Sequence, residues 1–324
     1  MMSENLFNRR DALMLAGAGG LMASPVARAA GAALPASGEP MLPMELTFSG
    51  GKRAFKMHPR AAILTYPIRF ILGAEGNGGG RVGIYLTLGG PTEADMAALA
   101  AEARDDLATR LAAIGLPVVS PAEMLAAPAV QALGSVPGSA KWDEGVLDPM
   151  GKRLWYMVAP PSAPLLPQWG STSGSSEFGT TARLPSPSRA VDAVMIAPYL
   201  TLEFTTLSGT VKSGSKGSTS WAGGEILFGF KPHSITYFTA GGKRSIENVG
   251  GSFQPKGRIV IAPTRLPGQL RNNVAVPSPE MSKRMGNARI DAFDVDMAAW
   301  RDWVRLAFRS YNELMTRHIA AARA

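Results

Sequence analysis

The sequence predicts an α/β (α+β) fold: a mixed, largely antiparallel sheet with long hairpins, packed by a helix at 93–114 and a long carboxy-terminal helix. Gly (36) and Pro (25) are plentiful, which indicates many turns. Hydrophobic residues make up 46% of the 324 positions, enough for a sizeable core. Runs of alternating apolar residues outnumber runs with helical spacing, so the body should be rich in strands.

The strongest strand signal is a hairpin near the start of the body. Ala61–Leu72 is rich in β-branched and aromatic residues, and Pro67 inside it favours an edge strand or a bulge. Gly73–Gly80 separates this run from the alternating run Val82–Leu88, as expected for a hairpin. Gly78–Gly83 matches the spacing of a dinucleotide-binding loop, but it precedes a strand, so we interpret it as a hairpin tip.

The clearest helix signal runs from Glu93 to Ile114. Thr92 and Asp95 form a capping box, and Gly115 supplies the stop. The predicted buried face consists of apolar residues at helical spacing: Met96, Leu99, Ala103, Leu107, Leu111 and Ile114. This face should pack against the sheet.

The middle of the chain gives shorter candidates. They are, in order, a strand at 116–119, a helix at 124–133, a strand at 154–159, a Pro/Gly/Ser-rich loop at 160–187, and strands at 235–239, 246–249 and 258–261. Val194–Leu207 and Gly224–Phe230 predict a second long hairpin around the polar tip Ser208–Ser220.

A long terminal helix is predicted from Val295 to about Ala321, capped by Asp294. Its apolar side chains alternate spacings of four and three: Trp300, Val304, Ala307, Tyr311, Leu314 and His318. Arg301, Arg305 and Arg309 line another face. We expect the helix to pack across the sheet, because its aromatic residues would be costly to leave in water. An exposed coil or a membrane-surface helix is the alternative.

The amino terminus has the pattern of a twin-arginine signal peptide over residues 1–29. An arginine pair precedes a weakly apolar stretch, and small residues mark a cleavage site. The residues that carry this assignment are Arg9, Arg10, Ala27 and Ala29. Asn8 and Ala12 depart from the usual motif, which leaves the general secretory route as the alternative.

Residues 30–44 are small and broken by proline, so we expect a flexible tether. Residues 45–324 should then form a single α/β domain that carries the loop at 160–187. The apolar stretch of the signal is shorter than a bilayer span, so no transmembrane segment is expected in the mature chain. These patterns predict a periplasmic or secreted protein.

The formal charge of +8 raises the question of a polyanion partner. Basic residues are scattered, and the densest pairs are Lys52-Arg53, Lys152-Arg153, Lys243-Arg244 and Lys283-Arg284. A nucleic-acid groove needs a clustered footprint. We therefore expect a generally basic surface and no nucleic acid partner.

The sequence assigns no residue to catalysis, to a cofactor or to a metal. There is no Cys, and His58, His233 and His318 are widely separated, so no metal motif forms. Asp291, Asp294 and Asp296 are the only tight acidic group, for which helix capping is preferred over a divalent-ion site. In Gly170–Gly174 a threonine stands where a nucleophile elbow needs serine.

A local resemblance covers Val82 through Val119. A strand, then a helix ending in Leu107–Gly115, then Leu-Pro-Val-Val-Ser resembles the α/β unit of CsgG-type curli-secretion proteins and of TolB amino-terminal domains. The lipidated cysteine of CsgG-type proteins is missing from this chain. As a whole the chain resembles exported bacterial proteins of unassigned function. The resemblance implies a role in the cell envelope and assigns no site residues.

These observations favour a non-enzymatic binding or assembly component of the envelope, with another envelope protein or a polysaccharide as partner. The predicted hairpin tips and the loop at 160–187 are the positions where recognition residues usually lie. The alternative is a cofactor-free periplasmic hydrolase that uses Asp and Glu as acid and base. A scaffold that oligomerises through the terminal helix is a third hypothesis, and the oligomeric state stays open.

Overall fold

The computed structural model describes residues 40–77, 83–133, 136–137, 140–148, 151–165, 183–214, 217–231, 233–257, 260–274 and 289–324. The described helices are α1 (Ala54–Met57), α2 (Glu93–Ala113), α3 (Pro121–Ala126), α4 (Pro128–Gln131), α5 (Pro185–Ala190) and α6 (Met297–Arg323). The described strands are β1 (Leu46–Gly50), β2 (Arg60–Ile63), β3 (Ile68–Asn77), β4 (Gly83–Gly89), β5 (Val136–Pro137), β6 (Ala140–Asp148), β7 (Gly151–Val158), β8 (Pro164–Leu165), β9 (Ala193–Glu203), β10 (Thr206–Gly214), β11 (Gly217–Glu225), β12 (Phe228–Phe230), β13 (Ile235–Ala240), β14 (Val249–Pro255), β15 (Ile261–Thr264), β16 (Gly268–Arg271) and β17 (Arg289–Val295).

Thirteen of these strands form one sheet in the part of the chain that the structure describes, in the order β1-β14-β13-β9-β3-β4-β17-β16. β2 and β12 join it at β9, β15 joins at β12, and β7 joins at β3 and carries β6. Most pairings are antiparallel, whereas β2 and β3 run parallel to β9, and β4 runs parallel to β17. The predicted mixed, largely antiparallel sheet is confirmed.

The centre of this sheet is β9, in which all eleven residues are buried. Its first half lies between β13 and β2, and its second half lies between β12 and β3. Val194, Ile196 and Leu200 are fully buried, as expected for a strand covered on both faces. The rest of the fold is arranged around this strand.

Helix α2 agrees with its prediction. The capping box is present, because the Thr92 hydroxyl accepts from the Asp95 amide and the Asp95 carboxylate accepts from the Thr92 amide. The helix ends one residue early, with Ile114 as its carboxyl cap, and Gly115 follows at a φ of +74°. The predicted apolar face is buried apart from Ile114, which is partly exposed.

Helix α6 begins later than predicted. Its first residue is Met297 and its cap is Asp296, whose Oδ1 accepts from the Ala299 amide at 2.9 Å. The predicted cap Asp294 and the residue Val295 belong instead to β17, which alternates buried and partly exposed positions at its end. Either aspartate could cap the helix by its side-chain chemistry. Asp296 is the cap because Asp294 is held in β17, which pairs with β4 and β16.

The buried stripe of α6 also differs from the predicted one at its end. Trp300, Val304, Ala307 and Tyr311 are buried as expected, but the stripe continues through Met315 and Ile319. Leu314 is half-buried and His318 is exposed. The predicted spacing averages 3.5 residues per turn, whereas a straight helix has 3.6, so a strict four-and-three pattern drifts off the face.

Helix α6 covers one face of the sheet, as predicted. Trp300 packs on Phe70 with ring centroids 5.8 Å apart, and Tyr311 stacks on Phe230 at 5.9 Å. Phe70 and Phe230 both pair with Leu202 of β9, so all three point to the same side. Thr201 and Glu203 alternate with Leu202 and therefore lie on the opposite face.

Ion pairs join α6 to α2 along the arginine face. Arg301 donates to the Asp95 carboxylate at 2.8 Å, and Arg305 donates to both carboxylate oxygens of Glu102 at 2.7 and 3.0 Å. The hydrogen bond from Arg305 lowers the pKa of Glu102 below its ordinary value of 4.5, although desolvation opposes it. Arg301 and Arg305, which were predicted to lie on a separate face of the terminal helix, therefore join the two long helices.

Replacing Arg305 with glutamine should lower the free energy of unfolding at neutral pH by less than about 1 kcal/mol, since the pair is partly exposed. A lowered carboxyl pKa contributes stability above its unfolded value, and this is lost as pH falls through the folded value. The difference between wild type and Arg305→Gln should therefore begin to shrink as pH falls below 4.5, the ordinary value for Glu102, and vanish once Glu102 is protonated in the folded state. Urea unfolding at about pH 7 and about pH 3 measures this. A difference that persists in acid would contradict it.

Several strand predictions need correction. Pro67 does not mark an edge: the run from Ala61 breaks there into β2 and β3, and the Pro67 carbonyl accepts from the Leu200 amide in the middle of the sheet. The predicted hairpin from 194 to 230 is also divided. β9 ends at Glu203 and pairs with β12, while β10 and β11 form a separate two-stranded hairpin.

Shorter predicted elements also differ from those observed. Val118 makes an isolated parallel bridge to Ala61 rather than a strand, and Pro128 divides the predicted helix at 124–133 into α3 and α4. The predicted strand at 246–249 is a 3₁₀ turn at Ser245–Glu247, after which β14 begins. In the predicted tether, Leu42 and Met44 are buried in the core, because this segment packs on α6 through the bond from the Leu42 amide to Ser310 Oγ at 2.9 Å.

Candidate functional site

The four residues assigned to the signal, Arg9, Arg10, Ala27 and Ala29, lie outside the described residues. So do positions 78–82 of the glycine-rich tip, 166–182 of the predicted loop and Lys283-Arg284. The remaining sequence candidates can be located. They are the acidic group, the histidines and the other basic pairs.

The acidic group serves structure. Asp291 Oδ1 accepts from the Asn273 amide at 3.0 Å, Asp294 accepts from Arg271 at 2.9 Å, and Asp296 caps α6. The hydrogen bond from Arg271 lowers the pKa of Asp294. Within the described residues, no three His, Asp or Glu side chains are grouped to hold a metal ion.

The histidines do not meet. His233 is exposed after β12, His318 is exposed on α6 beside Phe48, and His58 follows α1. Although His318 is exposed overall, desolvation of its ring beside Phe48 and Phe253 lowers its pKa, and the charge of Lys52 adds to this effect. His58 has polar contacts of chemical interest.

His58 forms a row with a hydroxyl and a carboxylate. Its Nδ1 lies 2.8 Å from Asp192 Oδ1, and its Nε2 lies 3.3 Å from Ser188 Oγ and 3.2 Å from the Gly241 carbonyl. No sequence pattern indicated this row, because His58 lies 130 residues from Ser188 and 134 from Asp192 along the chain. A serine, a histidine and an aspartate in this order resemble a hydrolase triad on paper.

The burial of the row argues against nucleophilic catalysis. Ser188 is fully buried, whereas the Asp192 side chain is 69% exposed. A nucleophile has to present its oxygen to substrate. The Ser188 hydroxyl instead donates to the Ala193 carbonyl at 2.7 Å and accepts from the Gly241 amide at 2.9 Å. The row therefore braces the segment after α1 and the loop after β13 against α5.

A second constellation is buried on the sheet face opposite α6. Glu203 Oε2 lies 3.3 Å from Arg153 Nε and 3.1 Å from Lys231 Nζ, and all three side chains are at most 4% exposed. We call Arg153, Glu203 and Lys231 the ion cluster. Burying ions costs several kcal/mol each unless they are paired. The cluster links β7, β9 and the residue after β12. No sequence pattern indicated that these charges are internal.

Arg69 extends the charged face next to the ion cluster. It pairs with Thr201, two residues from Glu203 on the same side of β9. Its guanidinium lies 4.7 Å from the centre of the Trp155 ring and 4.9 Å from that of Tyr199. Aromatic faces attract a cation most strongly where water is excluded.

The cavities are of two kinds. Below α6, an apolar cavity of about 10 Å³ is lined by Phe70, Leu202, Phe228, Trp300 and Trp303, among others, and it has room for one water at most. An open groove of about 440 Å³ lies at the surface, lined by Phe55, Lys56, Met57, His58, Pro59 and Arg323. The first cavity is too small for a substrate, and the second is open to solvent.

The best candidate for a recognition site is an exposed aromatic group at the edge of the sheet. Trp142, on β6, is 49% exposed, and its ring packs on Tyr156 with centroids 5.1 Å apart. The indole Nε1 donates to Glu93 Oε1 at 2.7 Å, and the Tyr156 hydroxyl donates to Glu93 Oε2 at 3.2 Å. We call Trp142, Tyr156 and Glu93 the aromatic platform.

Hydrogen bonds and ring packing hold the side chains of the platform in one orientation. Glu93 is the first residue of α2, where the helix dipole favours a carboxylate. Burial raises the pKa of Tyr156, and the charge of Glu93 raises it further, so the hydroxyl stays a neutral donor. Both ring donors are thus fixed on one carboxylate. The sequence missed the platform because β6 was not predicted and its contact with α2 spans 49 residues.

Comparison with known proteins gives no relative for this arrangement: no family model, curated protein or solved structure matches the chain. Among the described residues, none of the helices has the length and apolar character to cross a membrane.

Proposed function

We propose that the chain is an exported protein of the bacterial envelope that binds a polysaccharide through the aromatic platform. The signal pattern at residues 1–29 supports the location, and the half-exposed Trp142 supports the activity. A half-exposed indole ring next to polar groups is available to stack on a ligand, because it combines an apolar face with a polar edge. A periplasmic or secreted location follows from the same proposal.

The observation that carries the proposal is the fixed orientation of Trp142. Its N–H is held by Glu93 and its ring by Tyr156, so the exposed ring face is set before any ligand arrives. A side chain that is already ordered loses little entropy on binding. A flat aromatic face of this kind suits the C–H groups on one side of a pyranose ring, because these groups pack on the electron-rich π face.

A polysaccharide is favoured over a protein strand because of the edge on which Trp142 lies. Within the described residues β6 pairs only with β7, which leaves its outer side as an edge. The edge carries Asp143 and Glu144, and charges on an edge oppose the addition of a further strand. The same polar groups suit sugar hydroxyls.

The hydrolase hypothesis has no support from the row at His58, since Ser188 is buried and its hydroxyl is engaged with the backbone. A binding role needs only the exposed platform. The local resemblance to envelope α/β units agrees with the proposed location and adds no residue to the site.

Replacing Trp142 with alanine should weaken polysaccharide binding by about 30-fold, since removing a central aromatic anchor costs about 2 kcal/mol. Trp142→Phe should retain most of the affinity, because it keeps an aromatic face and loses only the hydrogen bond to Glu93. Co-sedimentation with insoluble peptidoglycan and migration in gels that contain a soluble neutral glucan measure the effect. We expect binding to at least one of these probes.

A binding assay at high salt distinguishes adsorption through the basic surface charges from stacking of Trp142 on the polysaccharide. At about 0.5 M salt, contacts between exposed charges are largely screened, whereas stacking persists. Lys256→Gln is a suitable control, because Lys256 is exposed and far along the chain from the platform. Binding that disappears in salt, or that is the same in Trp142→Ala, would overturn the proposal; capture of a protein by the platform instead would support the edge-strand partner.

A further inference from the structure

The fold brings two of the basic pairs together, which their separation in sequence did not suggest. Lys52-Arg53 precedes α1, and Lys243-Arg244 follows β13. The Gly51 amide donates to the Gly250 carbonyl at 3.2 Å, and His58 Nε2 lies 3.2 Å from the Gly241 carbonyl. The two segments are therefore neighbours on one surface.

This surface carries five exposed cations, and we call it the basic surface: Lys52, Arg53, Lys56, Lys243 and Arg244. Arg189 is also exposed and lies against the same loop. The described acids beside it are Asp192, which holds His58, and Glu247, which accepts from the Arg244 amide at 3.1 Å. Positive charge therefore predominates on this surface. The open groove beside His58, lined by Lys56 and Arg323, belongs to the same region.

A large apolar side chain lies next to two of these charges. Ile246 is 86% exposed, in the 3₁₀ turn Ser245–Glu247 that directly follows Lys243-Arg244. Water-exposed isoleucine gives up the free energy that burial would provide. An exposed apolar side chain beside clustered cations suits a membrane surface, where the apolar group enters the headgroup boundary and the cations face anionic lipids.

The loop that presents Ile246 is held in place. Arg189 Nη1 donates to the Gly242 carbonyl at 3.4 Å and to Asn248 Oδ1 at 3.0 Å. The Gly241 amide donates to Ser188 Oγ at 2.9 Å, and His58 contacts the Gly241 carbonyl. The hydroxyl–imidazole–carboxylate row thus has a role: it fixes the Gly241 end of the loop, and Arg189 fixes the Asn248 end.

We propose that the loop Gly241–Asn248 docks on an anionic lipid bilayer, with Ile246 entering the headgroup boundary and the basic surface contacting lipid phosphates. A soluble polyanion would also attract the cations, but it offers no apolar phase for Ile246. The bilayer is therefore the partner that uses both features. This contact is separate from the aromatic platform and does not depend on it.

The test uses the full chain and two kinds of vesicle, one of phosphatidylcholine with about a third phosphatidylglycerol and one of phosphatidylcholine alone. Co-sedimentation should show binding to the anionic vesicles only. Ile246→Ser should weaken it by roughly tenfold, from the loss of one buried aliphatic side chain. The double variant Lys243→Gln with Arg244→Gln should weaken it by about 30-fold, at roughly fivefold per charge.

A control with the same change in net charge is Lys256→Gln with Arg265→Gln, since both residues are exposed and neither lies in the loop. It should bind anionic vesicles nearly as well as wild type does. Unfolding curves of each variant confirm that it is folded, which exposed positions make straightforward. Wild type that binds neither vesicle, or equal losses in the control and in the loop variant, would overturn the proposal. Anionic binding that is indifferent to Ile246→Ser would also overturn it and indicate a soluble polyanion, which retention on heparin would identify.

Discussion

Replacing Glu203 with glutamine should destabilise the protein by about 3–5 kcal/mol, because it removes the shared partner of two buried cations. Glu203 Oε2 lies within 3.3 Å of Arg153 and 3.1 Å of Lys231, and its side chain is inaccessible to solvent. Glutamine keeps the volume and the polarity but has no negative charge. Urea unfolding monitored by tryptophan fluorescence measures the loss, as a lower midpoint at unchanged slope.

The matched control is Asp294→Asn, which makes the same carboxylate-to-amide change in the exposed pair with Arg271. That pair is exposed to solvent, so its loss should leave the unfolding midpoint nearly unchanged. The contrast between the two variants tests whether burial determines the cost. Similar small losses for both would show that the buried cations are compensated without Glu203.

Replacing Asn312 with alanine should cost about 3 kcal/mol, since each buried polar group left without a partner costs about 1–3 kcal/mol. Asn312 is fully buried on α6, and it connects three parts of the fold. Its Oδ1 accepts from the Tyr66 hydroxyl at 2.7 Å, and its Nδ2 donates to the Ala103 carbonyl at 3.0 Å and to Asp106 at 2.9 Å. The amide thus ties α6 to α2 and to the link between β2 and β3.

Tyr66→Phe separates the parts of this effect. Burial raises the pKa of Tyr66 well above 10.0, and the charge of Asp106 acts in the same direction, so the hydroxyl is a neutral donor to Asn312. Its removal should cost about 1 kcal/mol. A double-mutant cycle with Asn312→Ala should be non-additive, because the two residues share one bond. Strict additivity of the unfolding free energies would show that the bond contributes nothing measurable.

Elements determined by their own residues were predictable. The capping box at Thr92 and Asp95 and the apolar spacing of α2 lie within one turn or one helix, so the sequence contains the whole signal. The hairpin of β3 and β4 follows from alternation around glycine in the same way. The end of the α6 stripe was misplaced, where a small error in period accumulated.

Elements determined by distant partners were not predictable. From its residues, β17 resembles a polar segment that precedes a helix. Asp291 and Asp294 nevertheless lie in a strand, because β4 and β16 pair with it on either side. The burial of Glu203 depends on cations from two other strands. Pro67 lies in the centre of the sheet because the predicted strand ends before it and a new one begins after it. The residues around Pro67 do not indicate this break.

The candidate sites also depend on residues that are distant in the sequence. Trp142 lies next to Glu93 only because β6 pairs with β7 and β7 pairs with β3 beside α2. The basic surface forms because β1 pairs with β14, which aligns Gly50 with Gly251. Residue types alone indicated a generally basic surface, whereas the juxtaposition of particular residues depends on sheet topology.

The parallel pairing of β4 with β17 has a consequence for the life of the chain before it is folded. Thr87 of β4 bonds to Asp291 of β17, a separation of 204 residues. At a synthesis rate of roughly 5–20 residues per second, the ribosome needs on the order of ten to forty seconds to reach β17 after it has made β4. During this interval one edge of β4 has no partner strand and is open to other nascent chains, so this part of the sheet is completed only after β17 has been synthesised.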